Sequence, residues 1–178
     1  MDEANCIVPA KINLVPAAKL ILAGTIQFAS SIQAARNQLA AEYPWLTVPQ
    51  SKPLSPGEVL GCTAPVVSSE AEAIVFVADG RFHLEAIMIA NPTIPAYRYD
   101  PYGRVLTIET YDHSGMQQVR RRAIQQAGTA QRWGLVLGTL GRQGNPRILQ
   151  HIQAVLDRKQ LLYTVVSADC TSFVVAVL

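Results

Sequence analysis

The sequence predicts an α/β fold built from parallel-sheet βαβ domains, and two observations carry this prediction. An apolar segment that ends in Gly-Thr is followed by an amphipathic segment, and the pattern occurs twice, at 20–43 and at 134–160. Apolar residues make up 49% of the 178 residues, which is ample material for a buried core. Because such βα units build parallel sheets, ligands are expected at the carboxyl ends of the strands.

The first βα unit begins with a predicted buried strand at Leu20–Ile26. The amphipathic segment Ser31–Tyr43 predicts a helix that ends before Pro44, and a short strand is expected at Leu46–Val48. The segment Pro49–Pro65 is rich in proline and glycine and predicts a long loop. Loops of this length inside a compact domain are often functional.

The elements that complete the first domain follow in close succession. The sequence predicts a buried strand at Ala73–Ala78, a helix at Phe82–Ala90 that ends at Asn91-Pro92, and a strand pair, Ala96–Tyr99 and Val105–Thr110, around a turn at 100–103. We therefore place the end of this domain near residue 111.

The remainder of the chain contains the second βα unit. A long helix is predicted at His113–Ala130, and its largely polar surface suggests a connector packed between domains. A strand at Trp133–Gly138, a helix at Pro146–Gln160 capped by Asn145, and a strand at Leu161–Ser167 follow. The apolar end of the chain provides only one further strand, so this second layer is expected to be incomplete.

Charge and hydropathy exclude several classes of protein. The formal net charge is only +2, and the basic cluster Arg120–Arg122 is best explained as a solvated helix face, so no nucleic-acid partner is expected. The apolar stretch Leu14–Ala23 is too short to span a membrane. Asp2 and Glu3 are unlike the basic start of a signal peptide, so a cytoplasmic protein is expected.

The cysteines do not form a local pattern. Cys6, Cys62 and Cys170 are odd in number and far apart, which excludes a disulfide framework and a zinc or cluster motif with close ligand spacing. Taken alone, Cys62 in the long loop is best explained as a small buried apolar residue.

Two turns that follow strands are candidate binding sites. The first contains the acidic and basic side chains of Asp79, Arg81, His83 and Glu85; the alternative is an ordinary helix start with Asp79 as its cap and Glu85 exposed. The second, at 138–144, has three glycines that would let backbone N–H groups approach an anion or a nucleotide. A plain turn explains this spacing equally well, since it is neither a P-loop nor GxGxxG.

Several long motifs together resemble one family. They are the cysteine loop 49–65 (PQSKPLSPGEVLGCTAP), the segment 79–92 (DGRFHLEAIMIANP), the segment 96–102 (AYRYDPY), the tripeptide 111–113 (YDH) and the segment 134–146 (GLVLGTLGRQGNP). This set resembles the 2-(3-amino-3-carboxypropyl)histidine synthases of diphthamide biosynthesis, and among them subunit 1. The resemblance covers about residues 20–167.

The resemblance implies a fold and a reaction. Family members have three homologous βα domains around a cleft, and each domain contributes one cysteine to a single [4Fe–4S] cluster. The cluster binds S-adenosylmethionine and, when reduced, cleaves it to a 3-amino-3-carboxypropyl radical. The radical adds to a histidine of translation elongation factor 2. Subunit 1 pairs with diphthamide synthase subunit 2, and a small iron protein supplies electrons.

The resemblance also assigns residues. Cys62 matches the middle cluster ligand, which replaces the buried-cysteine interpretation, since thiolates are the natural ligands of iron–sulfur clusters. From strand-end geometry, S-adenosylmethionine is expected to face the following residues: Asp79, Gly80, Arg81, His83, Gly138, Thr139, Gly141, Arg142, Gln143 and Gly144. No catalytic residue is assigned.

The expected organisation is therefore a divergent N-terminal segment at 1–19, the middle α/β domain at 20–111, and a connector helix with a partial third domain at 112–178. The chain departs from the family near its ends, and Cys170 lies outside any family motif, so a synthase truncated at both ends is expected. Two alternatives stay open: an inactive fragment or non-enzymatic module that pairs with subunit 2, and an unrelated nucleotide-binding βα protein.

Overall fold

The computed structural model describes residues 18–61, 63–138, 145–168 and 174–177, and it divides the chain into two units, Met1–His113 and Ser114–Leu178. The described elements, in chain order, are β1 (Leu20–Gly24), α1 (Ala29–Leu39), β2 (Ala73–Val77), α2 (Phe82–Ala90), β3 (Ala96–Asp100), β4 (Val105–Glu109), α3 (His113–Ala127), β5 (Arg132–Gly138), α4 (Pro146–Arg158), β6 (Leu162–Ala168) and β7 (Val174–Val177).

The sheet of the first unit has the order β1-β2-β3-β4. Strands β1, β2 and β3 are parallel, and β4 returns antiparallel to β3. Every residue of β1 and β2 is buried, as expected for parallel strands that are covered on both faces. The predicted α/β class with parallel strands is therefore confirmed.

The two helices of the first unit cover opposite faces of this sheet. Successive side chains of a strand alternate between faces. Ile74 and Phe76 belong to the core cluster that contains Leu84 of α2, whereas Val75 belongs to the cluster that contains Ile32 of α1. The carboxyl end of β2, and the turn that leads from it to α2, therefore lie between the two sheet faces that the helices cover.

Several boundaries in this unit differ from the predicted ones, among them the end of the first strand, the end of the first helix and the short strand that was expected after it. The first strand ends at Gly24, because a 3-10 turn begins at Ile26. Helix α1 ends at Leu39 rather than at Tyr43; the Tyr43 N–H donates to the Leu39 carbonyl over 2.8 Å, and this turn buries the Tyr43 side chain. The expected strand at 46–48 is a single bridge between Thr47 and β1.

The second unit contains the other described sheet, with the order β6-β5-β7. Strand β6 is parallel to β5, and β7 is antiparallel to it, so the apolar end of the chain is a paired strand. Helix α4 begins as predicted, with Asn145 Oδ1 accepting a 3.0 Å hydrogen bond from the Arg147 N–H. Leu135 of β5 and Leu156 of α4 are buried.

Helix α3 has no buried residue, and Val119 and Ile124 are exposed. The described part of the chain therefore does not cover its apolar side. The helix ends at Ala127, three residues before its predicted end; beyond it the N–H groups of Thr129 and Ala130 bond to carbonyls three residues back, as in a turn. The division of the chain into a middle and a third domain stays a prediction.

Candidate functional site

The long loop after α1 is fixed along the free edge of β1. The N–H of Gly24 donates to the Gly57 carbonyl over 2.8 Å, and the N–H of Val59 donates to the Gly24 carbonyl over 3.0 Å. Gly57 has φ +84°, and a Cβ at this position would lie 3.0 Å from Ile32 Cγ2. Only glycine combines this backbone angle with so little space. Gly57 therefore holds the loop close to α1. The loop continues from there to Gly61, the last described residue before Cys62.

The turn between β2 and α2 carries the first group of predicted site residues. Strand β2 ends at Val77 and α2 begins at Phe82, and the turn between them contains Asp79, Gly80 and Arg81. Arg81 occupies the N-cap position, and no side chain caps the helix. The alternative in which Asp79 caps an ordinary helix is therefore wrong.

Arg81 links this turn to β4. Its guanidinium lies 3.1 Å from Glu109 Oε2 and 3.4 Å from Glu85 Oε1, and Nη2 donates to the Thr110 carbonyl over 3.1 Å. Since three acceptors already occupy the guanidinium, Arg81 holds the turn against the strand pair. Glu85, which the alternative above placed in an exposed position, is half-exposed and takes part in this contact.

Glu109 is the centre of the network and was not predicted from the sequence. Its side chain is only 8% exposed, and its Oε1 accepts hydrogen bonds from Thr107 Oγ1 (2.8 Å) and Arg98 Nε (3.1 Å). Burial alone would raise the pKa of Glu109; the hydrogen bonds from Thr107 and Arg98 and the charges of Arg81 and Arg98 outweigh burial and lower this pKa. The carboxylate is therefore ionised near neutral pH.

The network explains how β3 and β4 support the turn. Arg98 also donates to the Asp79 carbonyl over 3.5 Å, so both arginines join the turn to the hairpin. Arg98 and Thr107 are cross-strand partners, and Glu109 lies two residues further on the same face of β4. The sequence does offer one signal for this cluster. Two residues of opposite charge, Arg98 and Glu109, lie in the two strands of the predicted pair.

His83 joins the turn to the long loop. Its Nδ1 accepts a 3.1 Å hydrogen bond from the Gly61 N–H, although the two residues are 22 apart in the sequence. The exposed ring of Phe82 packs edge-on against the imidazole, with ring centroids 5.2 Å apart. A Cβ at Gly61 would lie 3.1 Å from Phe82 Cε1, so the two segments are in close contact.

The other predicted site residues are located only in part. Gly138 is the last residue of β5, in the second unit. Thr139, Gly141, Arg142, Gln143, Gly144 and Cys62 lie outside the described residues. Within the described ranges there is no group of three or more His, Cys, Asp or Glu side chains that could hold a metal ion. No helix in those ranges is long and apolar enough to cross a membrane.

Parallel strands, with helices on both faces of the sheet in the first unit, define an α/β protein. The family described as "Putative diphthamide synthesis protein" matches residues 1–172, and the chain belongs to this family. The resemblance inferred from the sequence motifs is therefore confirmed.

Curated relatives agree with this assignment. The chain is 56% identical over 156 residues to 2-(3-amino-3-carboxypropyl)histidine synthase subunit 1 of Mus musculus and 55% identical over 156 residues to the same subunit of Homo sapiens. Each match covers 88% of this chain and 35% of the relative. The chain thus spans about a third of the length of these relatives.

Solved structures share the fold. Dph2 from Pyrococcus horikoshii superposes with a TM-score of 0.67 at 21% identity, over 85% of this chain and 44% of that protein. A structure of Dph2 from the same organism, described with a 4Fe-4S cluster, gives a TM-score of 0.68 at 20% identity, over 88% of this chain and 46% of that protein. At this identity the likeness shows the shared fold.

Proposed function

We propose that this chain acts as part of subunit 1 of a 2-(3-amino-3-carboxypropyl)histidine synthase, a transferase of diphthamide biosynthesis. The observation that carries the proposal is its 56% identity to the mouse subunit over 156 residues. The proposed reaction transfers the 3-amino-3-carboxypropyl group of S-adenosylmethionine to a histidine of translation elongation factor 2, in the cytoplasm. The proposed partners are synthase subunit 2 and a small iron protein that donates electrons.

The proposed cofactor is a [4Fe–4S] cluster, and the chain fits one of its ligand positions. Cys62 supplies the thiolate that such a cluster needs. Next to it in the sequence, the buried Oγ1 of Thr63 has no hydrogen-bond partner among the described residues. A buried hydroxyl without a partner calls for an explanation, and sulfur atoms of a cluster accept such hydrogen bonds. As the family resemblance implies, we propose that the other ligands come from elsewhere in the assembled synthase.

The residues at the strand ends would bind S-adenosylmethionine. When bound and reduced, the cluster supplies the electron that cleaves this substrate. In the first unit we assign substrate contact to Asp79, Gly80 and His83, with Arg81 holding their turn in place through Glu109. In the second unit we assign it to Gly138, Thr139, Gly141, Arg142, Gln143 and Gly144.

The experiment that tests this function is anaerobic co-expression of the chain with synthase subunit 2, followed by measurement of iron, sulfide and visible absorption per complex. We expect stoichiometric iron in the wild type and loss of iron and colour in Cys62→Ser. Cys170→Ser is the matched control and should retain both. Iron that survives Cys62→Ser would refute the ligand assignment.

Absence of iron from the wild-type complex would refute the proposed enzyme for this chain. If the complex with subunit 2 still formed, that result would favour the module that pairs with subunit 2 without chemistry. When the wild-type complex does contain iron, transfer of the 3-amino-3-carboxypropyl group to elongation factor 2 is the second measurement. Cys62→Ser should abolish this transfer.

A further inference from the structure

The N–H of Gly61 is the backbone donor immediately before Cys62, and the Nδ1 of His83 is its acceptor at 3.1 Å. On the other side of Cys62, the N–H of Thr63 donates to the Leu60 carbonyl over 3.1 Å. Both sequence neighbours of Cys62 are therefore held by a hydrogen bond. One of these bonds is local, whereas the other depends on a side chain from α2.

The acceptor itself is held firmly. His83 lies in the first turn of α2, two residues after Arg81, whose guanidinium is paired with Glu109 on β4. Since Nδ1 accepts a hydrogen bond from an N–H, the neutral imidazole carries its proton on Nε2. The ring of Phe82 packs edge-on against the imidazole.

We propose that His83 is a positioning residue for the cluster-ligand loop: its Nδ1 anchors the Gly61 amide and thereby sets where Cys62 presents its thiolate. This inference rests on the proposed function, because it gives Cys62 the role of a ligand. In this proposal Nδ1 accepts the hydrogen bond from the Gly61 amide, and Nε2 is left for contact with the substrate. A ligand at the end of a long loop needs such an anchor, because supporting contacts orient the residues that bind a metal.

The first test uses the iron-free chain and three variants. His83→Leu removes the acceptor, His83→Asn keeps an acceptor close to the position of Nδ1, and His151→Leu is the matched control on the exposed surface of α4. Hydrogen exchange at the Gly61 amide should accelerate about fivefold in His83→Leu, the factor expected for loss of one neutral hydrogen bond. Exchange should stay close to the wild-type rate in His83→Asn and His151→Leu.

The second test uses the complex with subunit 2, loaded with iron. We expect His83→Leu to lower the iron content and to change the electron paramagnetic resonance spectrum of the reduced cluster, and His83→Asn to restore both. Unchanged Gly61 exchange in His83→Leu, an unchanged spectrum, or equal damage by Leu and Asn would each overturn the positioning role.

The two proposals fail in different ways. If Cys62→Ser keeps its iron, the ligand assignment fails, and the positioning role fails with it even where the exchange experiment shows the Gly61 anchor. If Cys62→Ser loses its iron while His83→Leu retains an unchanged cluster, the proposed function stands and only the role of His83 is refuted.

Discussion

Replacing Gly24 with alanine should destabilise the first unit. Gly24 is the last residue of β1 and lies opposite Val77 of β2. A Cβ at Gly24 would overlap the Val77 carbonyl oxygen and lie 2.9 Å from Ile32 Cδ1 and 3.1 Å from Val77 Cβ. Because the closest atom belongs to the backbone of a neighbouring strand, the clash is relieved only if β1 and β2 move apart.

The size of the effect follows from two opposing contributions. Overpacking of a well-packed core costs about 1–3 kcal/mol, and a backbone clash belongs at the upper end of that range. Alanine also restricts the unfolded chain, which returns about 0.4–1 kcal/mol. The net loss in the free energy of unfolding is therefore about 2 kcal/mol, which corresponds to about 10 °C in the melting temperature of a unit of this size.

The assay is thermal and urea unfolding followed by circular dichroism, with hydrogen exchange of the β1 and β2 amides to locate the loss. Gly80→Ala is the matched control, because a Cβ at Gly80 would meet no atom within 4 Å. This control should melt at or slightly above the wild-type temperature. If Gly24→Ala and Gly80→Ala melted together, the argument from strand contact would be wrong.

Two further predictions concern buried polar groups. Glu109→Gln should cost about 2 kcal/mol in urea unfolding at pH 7, because the charged hydrogen bonds to Arg81 and Arg98 are lost. Since the folded pKa of Glu109 is lowered from 4.5, its stabilisation is complete above pH 4.5 and disappears as the pH falls through the lowered value. The wild type should therefore lose more stability than Glu109→Gln between pH 6 and pH 3, and parallel pH curves would contradict this reasoning. Asn91 is buried, accepts from the Val67 N–H and donates to two carbonyls, so Asn91→Asp should cost about 3 kcal/mol at pH 7 and less at low pH, measured in the same way.

The parts of the fold with strong local signals were predicted from the sequence. Strand β2 is an uninterrupted apolar run, and α2 ends where Asn91-Pro92 follows, so the predicted helix Phe82–Ala90 has the observed bounds. The end of α1 was missed because burial of Tyr43 depends on contacts with the sheet core rather than on local pattern. The pairing of β7 with β5 is likewise a long-range contact, which the hydrophobic periodicity of the sequence does not predict.

The candidate site was likewise predicted only in part from the sequence. The position of Asp79 and Arg81 after a buried strand identified the turn, because strand ends can be located from apolar runs. The contacts that hold the turn could not be identified, since Glu109 is 28 residues from Arg81 and only the pairing of β2, β3 and β4 in one sheet brings them together. The bond between Gly61 and His83 likewise depends on how the long loop returns to α2.

The bridges along β1 have a consequence for association between chains. An unpaired outer strand of a sheet offers a row of N–H and C=O groups to any extended peptide, and it is a common starting point for fibril growth. On β1 the loop already occupies these groups, through Thr47 beside Leu22 and through Gly57 and Val59 at Gly24. The segment that leads to Cys62 thus also protects the outer strand of the sheet, and deletions that shorten it would expose the N–H and C=O groups of β1 to other chains.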